Sequence, residues 1–320
     1  MNIGIDMMGG DFAPLEAVKG IRLYLDDTNV NGPATLFCIG QEDKVMPLLK
    51  EHQLDTHPNI KVIPASEVIG YNEHPTKALK EKQQSSIAIG FYLLATGKID
   101  AFMSAGNTGA MLVGAMYSIK AIEGIQRPTI ATLLPKSDGS TGVLLDVGLN
   151  ADCKPEHLNQ FAVLGSLYAS NILDIQQPRV GLLNVGEEEG KGNLLAQATY
   201  PLLKENTSVQ FVGNIEGRDV FNDKADVVVC DGFTGNIVLK MVESVYDIAV
   251  SRKLENDGYF SRLHYENYGG TPVLGVNKPV IIGHGISTAK AFKNMVHLAE
   301  KMIETQLCAK IAENFQAISK

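Results

Sequence analysis

The sequence predicts an α/β protein built on a mainly parallel sheet, and two features of the chain carry that prediction. Short apolar runs alternate with longer segments of helical period. Between them lie glycine-rich loops that each follow a predicted strand, most leading into a helix. Composition permits the core such a fold needs: 320 residues, 45% hydrophobic and 20% charged, a length that requires no disulfide or metal staple. No Pro/Ser-rich linker, charge block or low-complexity segment interrupts the chain. The expected organisation is therefore one unit over residues 1–320, at most two closely packed subdomains.

In chain order, strands are expected near 2–6, 34–39, 60–64, 99–104, 128–134, 142–147, 178–185, 209–213, 225–230 and 279–283. Each is a short apolar run, as a strand covered on both faces should be. Helices are expected near 14–26, 42–52, 76–96, 108–122, 155–173, 193–206 and 233–256. In the last of these, Ile237, Val238, Met241, Val245, Ile248 and Ala249 recur at helical spacing, which predicts one buried stripe and one polar face. Phe292, Met295, Val296, Ala299, Met302, Ile303 and Leu307 predict a long amphipathic helix near the C-terminus, packed against the core. Residues 251–271 read as an irregular excursion, with Tyr259, Phe260, Tyr265 and Tyr268 set among charges.

Charge and motif content exclude several functions. With 28 Lys+Arg against 36 Asp+Glu the formal charge is -8, opposite to the basicity that nucleic-acid binding favours, so no nucleic-acid partner is expected. Cys38, Cys153, Cys230 and Cys308 are scattered without ligand spacing, which signals neither a zinc site nor a disulfide framework. No HExxH pair points to a metal, no G-x-S-x-G elbow to a serine hydrolase, and no G-x-G-x-x-G follows the first strand. Gly186 to Lys191 misses the register of a nucleotide phosphate loop and carries three glutamates that would repel a nucleotide. The first ten residues lack a basic region and are too glycine-rich for a signal peptide, and the most apolar later stretch, 105–119, is too short for a membrane span.

The candidate chemistry lies in five loops. They read Asp6-Met7-Met8-Gly9-Gly10-Asp11, Ser104-Ala105-Gly106-Asn107-Thr108-Gly109, Asp146-Val147-Gly148-Leu149-Asn150, Asn184 through Gly190-Lys191-Gly192-Asn193, and Asp231-Gly232-Phe233-Thr234-Gly235-Asn236. In a parallel sheet, loops leaving the carboxyl ends of strands gather on one rim, which predicts a shared cleft. Glycines let backbone N–H groups approach an anion, and helix starts add unpaired donors and partial positive charge. Gly9, Gly10, Asn107, Thr108, Gly109, Asn193, Thr234 and Gly235 are the candidate phosphate- or substrate-binding residues. In any single loop, glycines that only make a turn and a Thr that only caps a helix explain the pattern equally well; the repetition favours a ligand.

These loops carry a resemblance that runs essentially from end to end. Besides the first two, the matching motifs are Asp152-Cys153-Lys154-Pro155-Glu156-His157-Leu158, Gly186-Glu187-Glu188-Glu189 with Lys191-Gly192-Asn193, and Gly213-Asn214-Ile215-Glu216-Gly217-Arg218. Cys230-Asp231-Gly232-Phe233-Thr234-Gly235-Asn236, Tyr268-Gly269-Gly270 and Leu274-Gly275-Val276-Asn277 complete the set. On these the chain resembles the PlsX-type phosphate acyltransferases, which make acyl phosphate from acyl-acyl carrier protein and inorganic phosphate. The resemblance implies a three-layer α/β/α fold of the isopropylmalate dehydrogenase and phosphotransacetylase type, a homodimer, and no cofactor. It further implies a cytoplasmic protein in peripheral contact with the inner membrane face, where acyl phosphate passes to a membrane glycerol-phosphate acyltransferase.

In that setting Lys191 is the candidate to hold phosphate, and Asn236 to orient phosphate or stabilise the oxyanion. Each has a plainer reading, Lys191 as a solvated counter-charge to Glu187–Glu189 and Asn236 as a helix-start hydrogen bonder. An apolar groove for the acyl chain is required; the helix from Ile237 and the aromatics Tyr259 and Phe260 are candidates for it. Capture of an acidic carrier by a -8 chain needs a local basic patch, with Lys77-Lys80-Lys82, Arg252-Lys253-Arg262 and Lys290-Lys293 as the candidates. Competing functions are acyl transfer from acyl-coenzyme A to phosphate, a metal- and NAD-dependent decarboxylating dehydrogenase, and a non-enzymatic scaffold for the carrier protein.

Overall fold

The computed structural model describes residues 1–27, 32–254 and 256–318. The chain forms two compact units, one of residues 1–121 and 266–308, the other of residues 122–265 and 309–320.

The first unit contains β1 (Asn2–Asp6), α1 (Leu15–Leu25), β2 (Thr35–Gly40), α2 (Glu42–Glu51), β3 (Ile60–Pro64), α3 (Pro75–Glu81), α4 (Ser86–Ala95), β4 (Ala101–Ser104) and α5 (Thr108–Gly114). It is completed by β10 (Thr271–Leu274), β11 (Val280–Ile282) and α9 (Ala289–Glu304). Its strands run β3-β2-β1-β4-β11-β10, all parallel except the β10–β11 pair. The chain steps outward from β1 to β3 and then returns to β4 on the other side of β1. Right-handed crossovers therefore place α1 and α2 on one face and α4 on the other, giving three layers. α9 packs along α1, and α4 covers β1, β2 and β4. The reversal of direction falls between β1 and β4, where loops from neighbouring strands diverge and open a crevice.

The second unit holds β5 (Thr129–Pro135), β6 (Thr141–Leu145), α6 (Pro155–Ile172), β7 (Arg179–Leu183), α7 (Leu194–Glu205), β8 (Gln210–Ile215), β9 (Val227–Val229) and α8 (Gly232–Ser251). The strand order is β5-β6-β9-β7-β8, with only the β5–β6 hairpin antiparallel. β9 comes last in sequence and inserts between β6 and β7, so the loops that follow β6 and β9 are neighbours. β5, β6, β7 and β9 are mostly buried, which matches their near-continuous apolar sequence, whereas the edge strand β8 exposes Gln210 and Val212. No helix among the described residues is long and apolar enough to cross a membrane.

Several expectations change. The helix expected over 76–96 is two, α3 and α4, because the Ser85 hydroxyl accepts the Ala88 N–H and starts a new helix. The helix expected over 108–122 ends at Gly114 and continues as a π-helical turn, Ala115–Ile119. The C-terminal helix is also two, α9 and α10 (Leu307–Ile318), with Gln306 in the left-handed region between them. β10 arises from 271–274, inside and just beyond the segment expected to be irregular.

The largest correction concerns α8. Its inward side is Gly235, Val242 and Ala249, whereas Ile237, Met241, Val245 and Ile248 are exposed. Of the excursion, residue 255 lies outside the described residues; Phe260–Leu263 and Tyr265–Asn267 are single 3-10 turns. Tyr259 donates its hydroxyl to the Pro135 carbonyl, and Arg262 donates to the carbonyls of Lys136 and Ser140. These bonds fasten the stretch to the β5–β6 hairpin.

The second unit also contains a buried ion pair. Lys136, 2% exposed, places its ammonium 2.7 Å from Asp226, which also receives the Arg179 guanidinium at 3.0 Å. Burial would raise the Asp226 pKa, but hydrogen bonds from Arg179 and Lys136 outweigh it and hold the carboxyl well below the usual carboxylate range. Asp226→Asn would leave Lys136 charged and unpaired, so it should cost about 3–5 kcal/mol at neutral pH, measured by urea unfolding. Because the folded-state pKa is depressed, the pair's contribution is complete above the unfolded value. The gap between parent and variant should therefore shrink as pH falls below about 4.

Candidate active site

Each unit presents a strand-ending aspartate that organises the loop after it. In the first unit the buried Asp6 carboxylate accepts the Met8 N–H at 2.9 Å and the Ser104 hydroxyl at 2.6 Å, and the Ser104 oxygen accepts the Gly106 N–H. The loops after β1 and β4 are thereby tied together at the strand-order reversal. A Cβ on Gly9 would lie 2.6 Å from both the Asp6 carboxylate and the Gly106 nitrogen, so only glycine fits there. Burial pushes the Asp6 carboxyl up, offset by the hydrogen bonds of Ser104, Ser86, Met8 and Gly9. Gly10 lies beside Gly285, whose carbonyl accepts the Asp11 N–H.

Asn107, buried at the start of α5, spends its side chain on the fold. Its oxygen accepts the Ala110 N–H, and its amide nitrogen donates to the carbonyls of Gly70, Tyr71 and Glu73. The N–H groups of Thr108 and Gly109 have no partner among the described residues, and Thr108 is exposed. Of the candidates in this unit, backbone donors rather than the Asn107 amide face outward.

In the second unit Asp146 follows β6 and is fully buried. Its two oxygens accept the N–H groups of Gly148, Leu149 and Asn150 and the Asn150 amide. Burial pushes its pKa up against the pull of those donors. α8 starts on this loop: Gly232 donates to the Asn150 carbonyl, and a Cβ on Gly235 would fall 1.8 Å from the Asp146 carbonyl oxygen. Only glycine lets the helix seat so closely. Asn236, one residue on, is exposed and donates one amide hydrogen to the Val147 carbonyl at 3.1 Å.

Asp231 caps α8, and this changes the reading of two candidates. Its carboxylate accepts both the Thr234 N–H and the Thr234 hydroxyl, and its carbonyl accepts the Gly235 N–H. The expectation that Thr234 and Gly235 supply free N–H donors is corrected: an Asp at the N-cap has already used them.

Lys191 sits where Asn184 brings the ends of its loop together. The Asn184 amide donates to the Lys191 carbonyl and its oxygen accepts the Val185 N–H. Gly192 follows in the left-handed region, at φ 97°, with no space for a side chain against Asn184. Glu187 pairs with Lys224 at 2.7 Å and Glu189 with Lys204 at 3.0 Å. Glu187 and Glu189 are thus met by other lysines, while neither Glu188 nor the exposed Lys191 ammonium has an ion-pair partner among the described residues. Asn193 caps α7, accepting the Ala196 N–H, which leaves the N–H groups of Leu194 and Leu195 open in the first turn.

Asn193 and Thr234 line one cavity of about 320 Å³ at the carboxyl ends of β7 and β9. Lys191 and Asn236 are not among its walls; each lies two residues from a residue that is. Glu187, Glu216 and Asp219 come close enough to hold a metal, but Lys224 bridges two of them and Arg218 pairs with Glu216. Cys153 and Cys230 adjoin the Asp146 loop; burial and then the Asp146 charge push the Cys153 thiol up to about 12, and Cys230 is raised by burial as well. Both are protonated at neutral pH and are poor nucleophiles. Sequence reasoning missed Asp6, Asp146 and Asp231 as organisers. The available signal was an Asp closing an apolar run with glycine one to three residues later, met three times.

The family model for the fatty acid synthesis protein matches residues 1–256 and 252–310. A phosphate acyltransferase of Dictyoglomus thermophilum is 42% identical, covering all of this chain and 99% of its own length. One from Pelotomaculum thermopropionicum is 44% identical over 99% of this chain and 96% of its own. Among solved structures, a phosphotransacetylase from Streptococcus pyogenes covers 95% of this chain and 94% of its own with a TM-score of 0.67 at 19% identity, a likeness of fold. By sequence along its whole length, this chain belongs to the phosphate acyltransferase family.

Proposed function

We propose that this chain, an acyltransferase, moves a fatty acyl group from acyl-acyl carrier protein to inorganic phosphate, giving acyl phosphate for phospholipid synthesis. The observation that carries the reading is the Lys191 ammonium, without an ion-pair partner among the described residues, in a loop where Glu187 and Glu189 are taken by Lys224 and Lys204. The open N–H groups of Leu194 and Leu195 at the start of α7 lie just beyond it, and α7 has no acidic residue in its first turn. A cation beside a helix start suits a phosphate-sized anion.

In the reaction a phosphate oxygen attacks the thioester carbonyl carbon and the carbonyl pair moves to oxygen. The tetrahedral adduct then collapses, the C–S bond breaks, and the carrier's thiolate leaves with the electron pair. The proton carried by phosphate ends on the thiolate or in solvent. A thiol with a pKa near 8.5 leaves readily, so positioning and oxyanion stabilisation matter more than a strong general acid. Lys191 holds the attacking phosphate. Asn236 keeps one amide hydrogen on Val147 and offers the other to the oxyanion. The raised thiols of Cys153 and Cys230 favour this direct attack over an acyl-cysteine intermediate. In the first unit, Thr108 and Gly109 offer open backbone donors to an anion, whereas the Gly9 N–H is spent on Asp6.

The chain works as a homodimer, handing acyl phosphate to a glycerol-phosphate acyltransferase at the cytoplasmic membrane face. The α8 stripe supports the dimer: Ile237, Met241 and Ile248 are 48, 62 and 60% exposed, a run that a two-fold interface would cover.

Two outcomes are expected. With acyl carrier protein thioester, phosphate and hydroxylamine, the parent forms acyl hydroxamate, insensitive to chelator and poorly supported by acyl-coenzyme A. Lys191→Ala and Asn236→Ala keep the parent melting temperature and lose roughly 10²–10³-fold in rate; near-parent turnover in either removes that residue from the mechanism. In sedimentation velocity the parent runs as a dimer, and Met241→Glu combined with Ile248→Glu runs as a monomer. A monomeric parent would sink the dimer.

A further inference from the structure

The proposed reaction needs a dry place for a hydrocarbon chain. The cavity at the carboxyl ends of β7 and β9 is walled by Leu158, Leu182, Leu183, Leu195 and Val238, with Val185 at the mouth. Leu158 and Leu182 are almost completely buried, at 2% and 1% exposure, so they form its closed wall. Val185, 79% exposed, and the neighbouring Leu194, 86% exposed, leave aliphatic surface in water beside the same loop.

Several polar groups on the cavity's walls are already engaged within the protein. The Asn193 oxygen is taken by the Ala196 N–H, and the Asp231 carboxylate by the Thr234 N–H and hydroxyl. The Asn193 amide nitrogen has no partner among the described residues, so that edge stays polar, while a hydrocarbon chain along the leucine wall has no polar group of its own to leave unsatisfied. The placement also suits a substrate with a reactive head, because the polar side of the cavity is made by Asn184, Asn193, Asp231 and Thr234, and Asn193 and Thr234 are each two residues from Lys191 or Asn236.

We propose that this cavity holds the fatty acyl chain of the substrate, with Leu158, Leu182 and Val238 setting the chain length that fits. The inference rests on the acyl-transfer reading, which fixes the occupant as an acyl chain. Each methylene drawn out of water improves binding roughly fourfold, so preference for long chains follows from the depth of the apolar wall. The sites expected earlier, the outer stripe of α8 and the aromatics Tyr259 and Phe260, do not line this cavity.

The test compares octanoyl, lauroyl and palmitoyl carrier-protein thioesters on the full chain. Val238→Phe reduces the volume from the α8 side; Val185→Asp, at an exposed position with no burden on folding, puts a charge at the mouth. The expected result is a fall of at least tenfold in the palmitoyl-to-octanoyl ratio of kcat/KM for both variants, with octanoyl turnover within threefold of the parent. A ratio within twofold of the parent in Val185→Asp, with turnover retained, overturns the proposal and assigns the cavity to another occupant such as the pantetheine arm. Failure of the acyl-transfer reading shows differently, as a parent that forms no acyl hydroxamate from any thioester. In that event calorimetric titration with palmitate still decides the cavity: binding weakened at least tenfold by Val185→Asp supports it, and no binding or equal binding by both proteins overturns it.

Discussion

The second unit's site depends on one buried carboxylate. Asp146 sits at the end of β6 with no solvent to share its charge, and it is balanced only by the donors that the next four residues turn back on it. Removing them would leave an unsatisfied buried charge, which is costly, so the loop has one conformation. That conformation exposes the Asp146 carbonyl to the start of α8, where the lack of a side chain at Gly235 lets the helix settle, and directs the Val147 carbonyl at Asn236. The placing of Asn236 is thus decided ninety residues away in sequence, roughly the separation of the two hydrogen-bonded groups. Asp6 does equivalent service in the first unit by joining the loops after β1 and β4 through Ser104.

What the sequence makes legible follows from how local the cause is. Strands such as 2–6 and 60–64 are visible because an apolar run between turn residues has few alternatives. The break between α3 and α4 is hidden because Lys82 to Ser85 contains neither glycine nor proline, and only the Ser85 cap marks it. In α8 the periodicity gives the spacing of an apolar stripe but not which side faces the sheet; Gly235 decides that, by contact rather than hydrophobicity. The loops that carry Lys191 and Asn236 were evident from glycine pattern and resemblance. The helix caps made by Asn107 and Asn193 follow from the N-cap preference of asparagine, while convergence of several N–H groups on Asp146 is a tertiary fact that no local pattern encodes.

Charge shows the same limit. The net -8 of the chain sets a repulsion that any acidic carrier must overcome, so usable cations have to be local and unengaged. Each basic cluster visible in the sequence loses members to internal contacts. Lys82 pairs with Glu73, Arg262 is bound to backbone carbonyls of the β5–β6 hairpin, and Lys293 pairs with Asp27. Lys77, 4.0 Å from Glu81 on the α3 surface, is held far more loosely. Carrier capture would therefore draw on the α3 lysines, or on Arg252 and Lys253 beyond α8, rather than on any cluster as a whole.

Electrostatics also separates the tasks of the two helix starts around the cavity. α8 begins with a carboxylate, Asp231, that has taken the Thr234 N–H and hydroxyl, so a phosphate dianion placed there would meet a like charge. α7 begins with the neutral Asn193, carries no acid in its first turn, and has Lys191 two residues upstream. On the proposed reading the resident anion sits at α7. The oxyanion exists only in the adduct, and in the proposed mechanism the second amide hydrogen of Asn236, held by Val147, would meet it without placing a full positive charge beside the leaving thiolate. A cation for the substrate that stays charged and a neutral donor for the charge that is transient are the arrangement that favours the transition state over the bound reactants.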